Sequence, residues 1–422
     1  MLLLLAAAAA AVLPDEVTFL PTYGKPASPT FAGFANATAD GRNRLHYWFV
    51  ASESDAEPAD VPLLLWLNGG PGASSLTGLL AEKLGPQSIA PNGTLVDNPD
   101  RITKKYHLLT FDNPVGAGYS ETADKSYVRS EYEMRTQFVH ALRIFFARHP
   151  QYADSPFWVS GESYAGHYIP NIAWELAVNA SEVPLQGVVI GNGMYNMKLQ
   201  YGTMGQLALG AGIIDERMAA EMAVRQDKCM AMIDSSPATA GIYCEQQTVW
   251  WLYSAAAAGE LFYYDVGLTD ASWFDDLTAA MGTYLNRADV KATLHVPPSG
   301  AWVQSDETGP VGDALLNDWT VDSDVVVEAL LGLGLKVRMY NGVRDMSSCN
   351  HLGNLAVAKH LKWAGAAGFA AAPNVPWPSA KVVEGHVRTS GLLQFATVLR
   401  TGHLVPTVVP KIFAQLLDMF LE

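Results

Sequence analysis

The hexapeptide Gly161-Glu162-Ser163-Tyr164-Ala165-Gly166 sets a serine hydroxyl among small residues. A short apolar run, Pro156-Phe157-Trp158-Val159, precedes it, and a segment with helical character, residues 169–177, follows. Strand, tight turn, serine and helix form the setting of a nucleophile elbow, in which a strained turn lifts Oγ clear of the end of a sheet. Small neighbours serve that turn because its backbone is crowded and unusual in φ. A hydroxyl is a poor nucleophile until a base takes its proton, so a base and a group to orient it must come from elsewhere.

Three further segments supply those parts. Asn68-Gly69-Gly70-Pro71-Gly72-Ala73-Ser74-Ser75 follows an apolar run, residues 61–67. Asn341-Gly342-Val343-Arg344-Asp345 follows the strand-like residues 335–340, and Gly402-His403-Leu404-Val405-Pro406 follows residues 395–399. A serine, an aspartate and a histidine thus each lie just past the carboxyl end of a predicted strand, in the chain order of α/β-hydrolases. The glycine-rich loop offers backbone N–H groups for an oxyanion hole. His167, four residues after Ser163, falls in the following helix and is not the expected base.

The elements that would carry these residues read as an α/β chain with a doubly wound, mostly parallel sheet. Residues 30–195 alternate strand-like and helical runs, among them an amphipathic helix over 130–147. Residues 196–300 break the pattern with Met-rich and Ala-rich helical stretches and the cluster Trp250-Trp251-Leu252-Tyr253, as expected of a helical cap inserted into the core. The aromatics at 250–264 either pack the cap on the core or shape a substrate pocket. Strand signals return within 301–422, and a last helix over about 407–421 closes the sheet. Hydrophobic residues make up 49% and charged residues 16% of 422, ample for a large core. No internal repeat or interdomain linker is visible.

The motifs resemble those of the serine carboxypeptidase family. The resemblance rests on Tyr47-Trp48-Phe49, Trp66 to Gly72, Asp112-Asn113-Pro114-Val115-Gly116-Ala117-Gly118-Tyr119-Ser120, Gly161 to Gly166, Gly191-Asn192-Gly193, Cys349-Asn350 and Gly402 to Pro406. It covers most of the chain from about 45 to 410 and is weakest over 196–300. It implies an α/β-hydrolase fold and release of C-terminal residues from peptides at acidic pH through an acyl-enzyme. Ser163 would be the nucleophile, His403 the base and then the acid, and Asp345 the group that orients His403. Gly70 and Tyr164 would give the oxyanion hole their backbone N–H groups. Asn68, Gly69, Glu82 and Glu162 would bind the substrate carboxylate. Acids facing an acid make sense where like charges sharing a site force one to keep its proton. Cys349 would be a free thiol near the site, the alternative being an inert buried thiol. The sequence departs from the family at Ala73, where Cys is common, and at Val343, where a second Asp is common. The loop before Cys349 is also one residue longer. Asp345 keeps its distance from Gly342 and is retained. An acyltransferase on the same scaffold, or a catalytically silent secreted binding protein, are the alternative functions.

Charge and cysteine content set the remaining expectations. The net charge is −15 and the pI about 5.1, which argues against nucleic acid or an anionic membrane as partner. Residues 1–13 resemble a signal peptide, and their apolar run is too short for the ~20 residues of a spanning helix. Sequons at Asn36, Asn92 and Asn179 agree with delivery to the secretory pathway, either secreted or vacuolar. Cys229 and Cys244 are close enough for a disulfide in an oxidising compartment, two buried thiols being the alternative. No H-E-x-x-H, C-x-x-C or phosphate-cradling loop occurs, so no metal or other cofactor is expected. Peptide or protein C-termini are the expected partners, and monomer and homodimer both stay open.

Overall fold

The computed structural model describes residues 14–256, 261–268, 270 and 272–422. The expected leader, residues 1–13, lies outside the described residues. In chain order the strands are β1 (Thr30–Asn36), β2 (Asn43–Val50), β3 (Leu63–Leu67), β4 (Gln87–Ile89), β5 (Leu95–Asp97), β6 (His107–Phe111), β7 (Glu121–Thr122), β8 (Phe157–Glu162), β9 (Leu185–Gly191), β10 (Lys336–Gly342), β11 (Val375–Pro378), β12 (Val383–Ser390) and β13 (Leu393–Val398). β4 and β5 form a separate ribbon. The rest make one sheet in the order β1-β2-β6-β3-β8-β9-β10-β13-β12-β11, with β7 beside β2. The central strands β6, β3, β8, β9, β10 and β13 are parallel neighbours, and antiparallel strands flank them.

The sequence of β3, Leu-Leu-Leu-Trp-Leu, is buried throughout, as a parallel strand covered on both faces requires. Leu63, Leu65 and Leu67 face one core and Leu64 and Trp66 the other, following the two-residue period of a strand. Three helices are positioned by these cores: α1 (Leu76–Leu80), α2 (Glu131–Arg148) and α3 (Ala165–Asn179). Phe138 and Leu142 of α2 and Ile169 and Ile172 of α3 fill the first core. α1 and the terminal helix Pro410–Leu421 fill the second, the latter through Phe413, Leu416, Leu417 and Phe420 at helical spacing. Ser130 caps α2 by accepting from Glu133 N at 3.3 Å, and Glu133 suits the positive end of its dipole. α3 starts four residues earlier than the sequence suggested, because the turn after β8 runs straight into it.

Between β9 and β10 the described chain is helical, with short helices Met197–Tyr201 and Met204–Gly210 and a long one, Glu216–Ser235. A disulfide joins Cys229 to Cys244, at the end of Pro237–Cys244, with Cα atoms 4.9 Å apart. A π-helical turn, Glu245–Trp250, follows. In the aromatic cluster Leu252 is buried while Trp250 is 57% exposed, and the Tyr253 ring packs on Tyr263 at 4.4 Å. Among the described residues no helix is long and apolar enough to cross a membrane.

Candidate active site

Every parallel strand delivers a residue to one end of the sheet, the carboxyl end, where open α/β sheets hold their ligands. β3 leads into Asn68-Gly69-Gly70, β6 into Asp112, β8 ends at Glu162 before Ser163, β9 leads into Asn192, β10 into Asp345 and β13 into His403. Ser163 has φ +65°, the strained conformation expected of an elbow. The small residues around it are demanded by contact. A Cβ on Gly161 would lie 2.0 Å from Leu67 O, one on Gly69 2.3 Å from Tyr164 N, and one on Gly166 2.4 Å from Met194 O. β3 and its loop therefore press directly on the elbow.

His403 Nδ1 lies 2.7 Å from Asp345 Oδ2. Both side chains are buried. The same oxygen accepts from Asn192 Nδ2 at 2.7 Å, and Oδ1 accepts from Ser347 N at 2.8 Å. Asn192 also accepts from Gly342 N at 3.1 Å, so it ties β9 to the loop that carries Asp345. The imidazole of His403 stacks on Tyr264, with centroids 4.6 Å apart, and His403 N donates to Tyr264 O at 2.6 Å. Ser163 and His403 line the same cavity, of about 360 Å³, with Gly70 in its wall. The backbone N–H groups of Gly70 and Tyr164 have no partner among the described residues, which leaves two donors beside the serine. His167 is buried in α3, stacked on Tyr164, and desolvation drives its pKa down to about 3.

The same cavity contains Asn68, Gly69, Glu82 and Glu162. Asn68 Nδ2 donates to Glu82 Oε1 at 2.7 Å, while Asn68 Oδ1 accepts from Trp66 Nε1 at 3.1 Å and from Gly78 N at 3.0 Å. That network fixes the amide's orientation. Glu82 is buried just after α1. Desolvation pushes its pKa up to about 7. Glu162 is raised well above the usual range by desolvation, by the charge of Glu82 and by a hydrogen bond shared with it. The remaining oxygen of each, Oε2, has no partner among the described residues. Asp112 holds the glycine-rich loop in place, accepting from Ser74 Oγ at 2.6 Å and Ser75 N at 3.0 Å.

Cys349 is a free, buried thiol in a narrow cavity with Ser163 and His403. Burial first, then the charge of Asp345, raises its pKa well above the ordinary thiol range, so it is a thiol and not a nucleophilic thiolate. The sequence motif Gly191-Asn192-Gly193 was visible without its role, Tyr264 stood at the end of the aromatic stretch 250–264, and Ser347 carried no signal.

A profile described as serine carboxypeptidase matches residues 21–422. The chain belongs to the serine carboxypeptidase family. It is a serine-type exopeptidase. "Serine carboxypeptidase-like 48" of Arabidopsis thaliana is 31% identical, with 97% of this chain and 82% of that protein covered. "Pheromone-processing carboxypeptidase kex1" of Aspergillus clavatus is 30% identical, with 94% and 69% covered. The crystal structure of Kex1(delta)p, a prohormone-processing carboxypeptidase from Saccharomyces cerevisiae, superposes with a TM-score of 0.83 at 24% identity, covering 96% of this chain and 95% of that one. That match carries the α/β-hydrolase fold.

Proposed function

We propose that this carboxypeptidase works at acidic pH through Ser163, His403 and Asp345, and that a shared proton on Glu82 and Glu162 lets it bind a free C-terminus. Ser163 Oγ attacks the scissile carbonyl while His403 Nε2 takes its proton. The oxyanion forms against the N–H groups of Gly70 and Tyr164, each worth ~3–4 kcal/mol in such a role. His403 returns the proton to the leaving nitrogen, and the amino acid departs. Water, deprotonated by His403, then cleaves the acyl-enzyme ester and restores Ser163. Asp345 holds the imidazole in orientation and stabilises its cation.

The observation that carries this reading is the Asn68–Glu82–Glu162 network at the wall of the serine's cavity. Two carboxylates would repel a substrate carboxylate. A protonated carboxyl and the Asn68 amide donate to it. The pH sense follows from the raised values. Below about 7 the pair keeps its proton and binding is strong; above, the proton is lost and KM rises. Asn36, Asn92 and Asn179 are all exposed, which supports glycosylation, and with the Cys229–Cys244 bridge supports a life in the secretory pathway. The Asn68 network also favours peptide C-termini over an alcohol acceptor's ester donor.

The test uses benzyloxycarbonyl-Phe-Leu and its C-terminal amide at pH 5 and 7.5, following free leucine. The parent is expected to release leucine from the acid, better at pH 5, and Ser163→Ala to release none. Glu162→Gln replaces a proton-dependent donor by an amide, so the rise of its KM for the acid between pH 5 and 8 is expected to be smaller than the parent's. A parental KM that is already flat over that range would refute the shared proton.

A further inference from the structure

Ser163 opens on two sides. In the proposed reaction the cavity with Glu82 and Glu162 takes the leaving residue, and the role of the second side rests on that reading. There, past Ser163 and His403, a throat of about 40 Å³ runs by Tyr201 and Cys349. It joins a cavity of about 530 Å³ bounded by Trp250, Leu316 and Trp319. Glu245 and Glu307 line both the throat and the wider cavity. Glu245 opens the π-helical turn, an irregularity that recurs at functional sites, and its Oε2 accepts from Tyr201 Oη at 2.6 Å. Glu307 precedes the helix Pro310–Leu315 and is exposed to solvent through the cavity. Among the described residues lining this space there is no lysine or arginine.

We propose that this second cavity binds the side chain on the acyl side of the scissile bond, and that Glu245 and Glu307 make it a cation-accepting subsite whose preference for Lys or Arg strengthens as pH rises. The form of the space suits a long side chain. A narrow passage walled by Tyr263, Tyr264 and Trp319 packs a methylene stem, and the carboxyls meet its charged end. The charge follows pH. Desolvation, then the charge of Glu245, raises Glu307 to about 7, and desolvation raises Glu245 against the opposing hydrogen bond from Tyr201. The phenols of Tyr201, Tyr263 and Tyr264 and the thiol of Cys349 are raised by burial and stay neutral. Asp313 adds a carboxyl to the wider cavity, and His403 is the one group on this side able to carry positive charge among the described lining residues. At pH 5 the proton on Glu307 removes one of the cavity's charges and the attraction for a cation is weaker. At pH 8 Glu307 is ionised and attracts a cation, which in turn favours its ionisation.

The test compares benzyloxycarbonyl-Lys-Leu with benzyloxycarbonyl-norleucyl-Leu from pH 5 to 8. Dividing one kcat/KM by the other cancels the titration of His403 and of the Glu82–Glu162 pair, which both substrates share. The lysine-to-norleucine ratio is expected to rise about tenfold, the effect of one partly solvated charge pair. Glu307→Gln removes that rise, Glu245→Gln lowers the ratio throughout, and Glu307→Lys reverses it in favour of a P1 glutamate over glutamine. Thermal melts check that each variant is folded. A ratio flat with pH in the parent, or a parental rise retained in Glu307→Gln, overturns the inference while leaving catalysis intact. Glu307 also borders the leaving-group cavity, so benzyloxycarbonyl-Leu-Lys and benzyloxycarbonyl-Leu-norleucine are run beside them. If the Glu307 dependence appears in that pair instead, the assignment of sides is wrong and the inference falls. Failure to release leucine from either acid by folded parent overturns the catalytic reading itself.

Discussion

Asn192 shows how one amide can set the geometry of a base it never touches. Its Nδ2 donates to the Asp345 oxygen that also meets His403, its Oδ1 accepts from Gly342 N, and its own N donates to Tyr340 O at 2.8 Å. Three donors, Asn192 Nδ2, Ser347 N and His403 Nδ1, surround the buried carboxylate, and removing one leaves an oxygen without the compensation that burial demands. A hydrogen bond to a charged group is worth ~1.5–3 kcal/mol. Asn192→Ala is therefore expected to lower kcat by roughly 10–100-fold with KM close to the parent value, since nothing in the carboxylate-binding network changes. The rate of Ser163 labelling by a fluorophosphonate should fall in parallel. A kcat unchanged in the variant would mean that Ser347 N and the loop backbone hold Asp345 unaided. Asn192 is a positioning residue, and the KM-against-kcat split is the reading that separates it from a merely structural side chain.

At the scale of elements, the elbow works because β3 and its loop touch it backbone to backbone. Gly69 is the closest point, and an added Cβ there must displace Tyr164 N or Ser163 Cβ, at 2.3 and 2.9 Å. Gly69→Ala is expected to cut kcat/KM by more than about 100-fold, because a shift in this loop moves both oxyanion donors at once. Far-ultraviolet circular dichroism should be unchanged, since the atoms displaced belong to the turn before α3 and not to the core that α2 and α3 fill; a lost helical signal would assign the defect to folding instead. This part of the site was legible in the sequence. Glycines, a strand run and a following helix leave a local pattern, and the chain order of Ser163, Asp345 and His403 reports the topology. Asp345 was legible despite Val343, because its loop is held from below: a Cβ on Gly342 would lie 1.9 Å from Gly402 O, so the Asp345 and His403 loops fix each other. Glu245 and Glu307 were not legible. They reach the site from a π-helical turn and a loop, elements without periodicity or motif, and a glutamate in such places reads as solvated. Asn192 was legible as a motif residue only, since the sequence does not say which carboxylate its amide meets. The stretch 196–300 stayed opaque for the same reason: its helices take their places from packing against the core and from the Cys229–Cys244 bridge, and neither leaves a local pattern of the kind a glycine-rich turn does.

For the whole molecule, the buried acids set how stability depends on pH. Burial raises Asp112 to about 6 and Glu82 to about 7. It raises Glu131 well above the carboxylate range, helped by the charge of Asp318, and Glu162 likewise. Both oxygens of Glu131 lack a partner among the described residues. Each of these groups binds its proton more tightly folded than unfolded. Each therefore favours the fold at low pH and withdraws that support as pH rises from its unfolded value toward its folded one. Buried histidines act in the opposite sense. Desolvation lowers His46 to about 4 and His167 to about 3, so the unfolded chain gains protons first as pH falls below about 6.5. Between about pH 5 and 6.5 the two trends oppose each other, so the histidines offset part of the decline that the acids impose. Above 6.5 the histidines are neutral in both states and only the acids act. There each buried acid still protonated in the fold costs about 1.4 kcal/mol per pH unit. Thermal melts from pH 5 to 8 should show Tm falling as pH rises, from 6.5 to 8 through the acids alone. Glu131→Gln keeps the volume and removes the titration, so its decline over that interval should be shallower than the parent's. A parental Tm that stays level from pH 6.5 to 8 would show that these carboxyls are already ionised in the fold at pH 6.5, and the shared proton of Glu82 and Glu162 would fall with them.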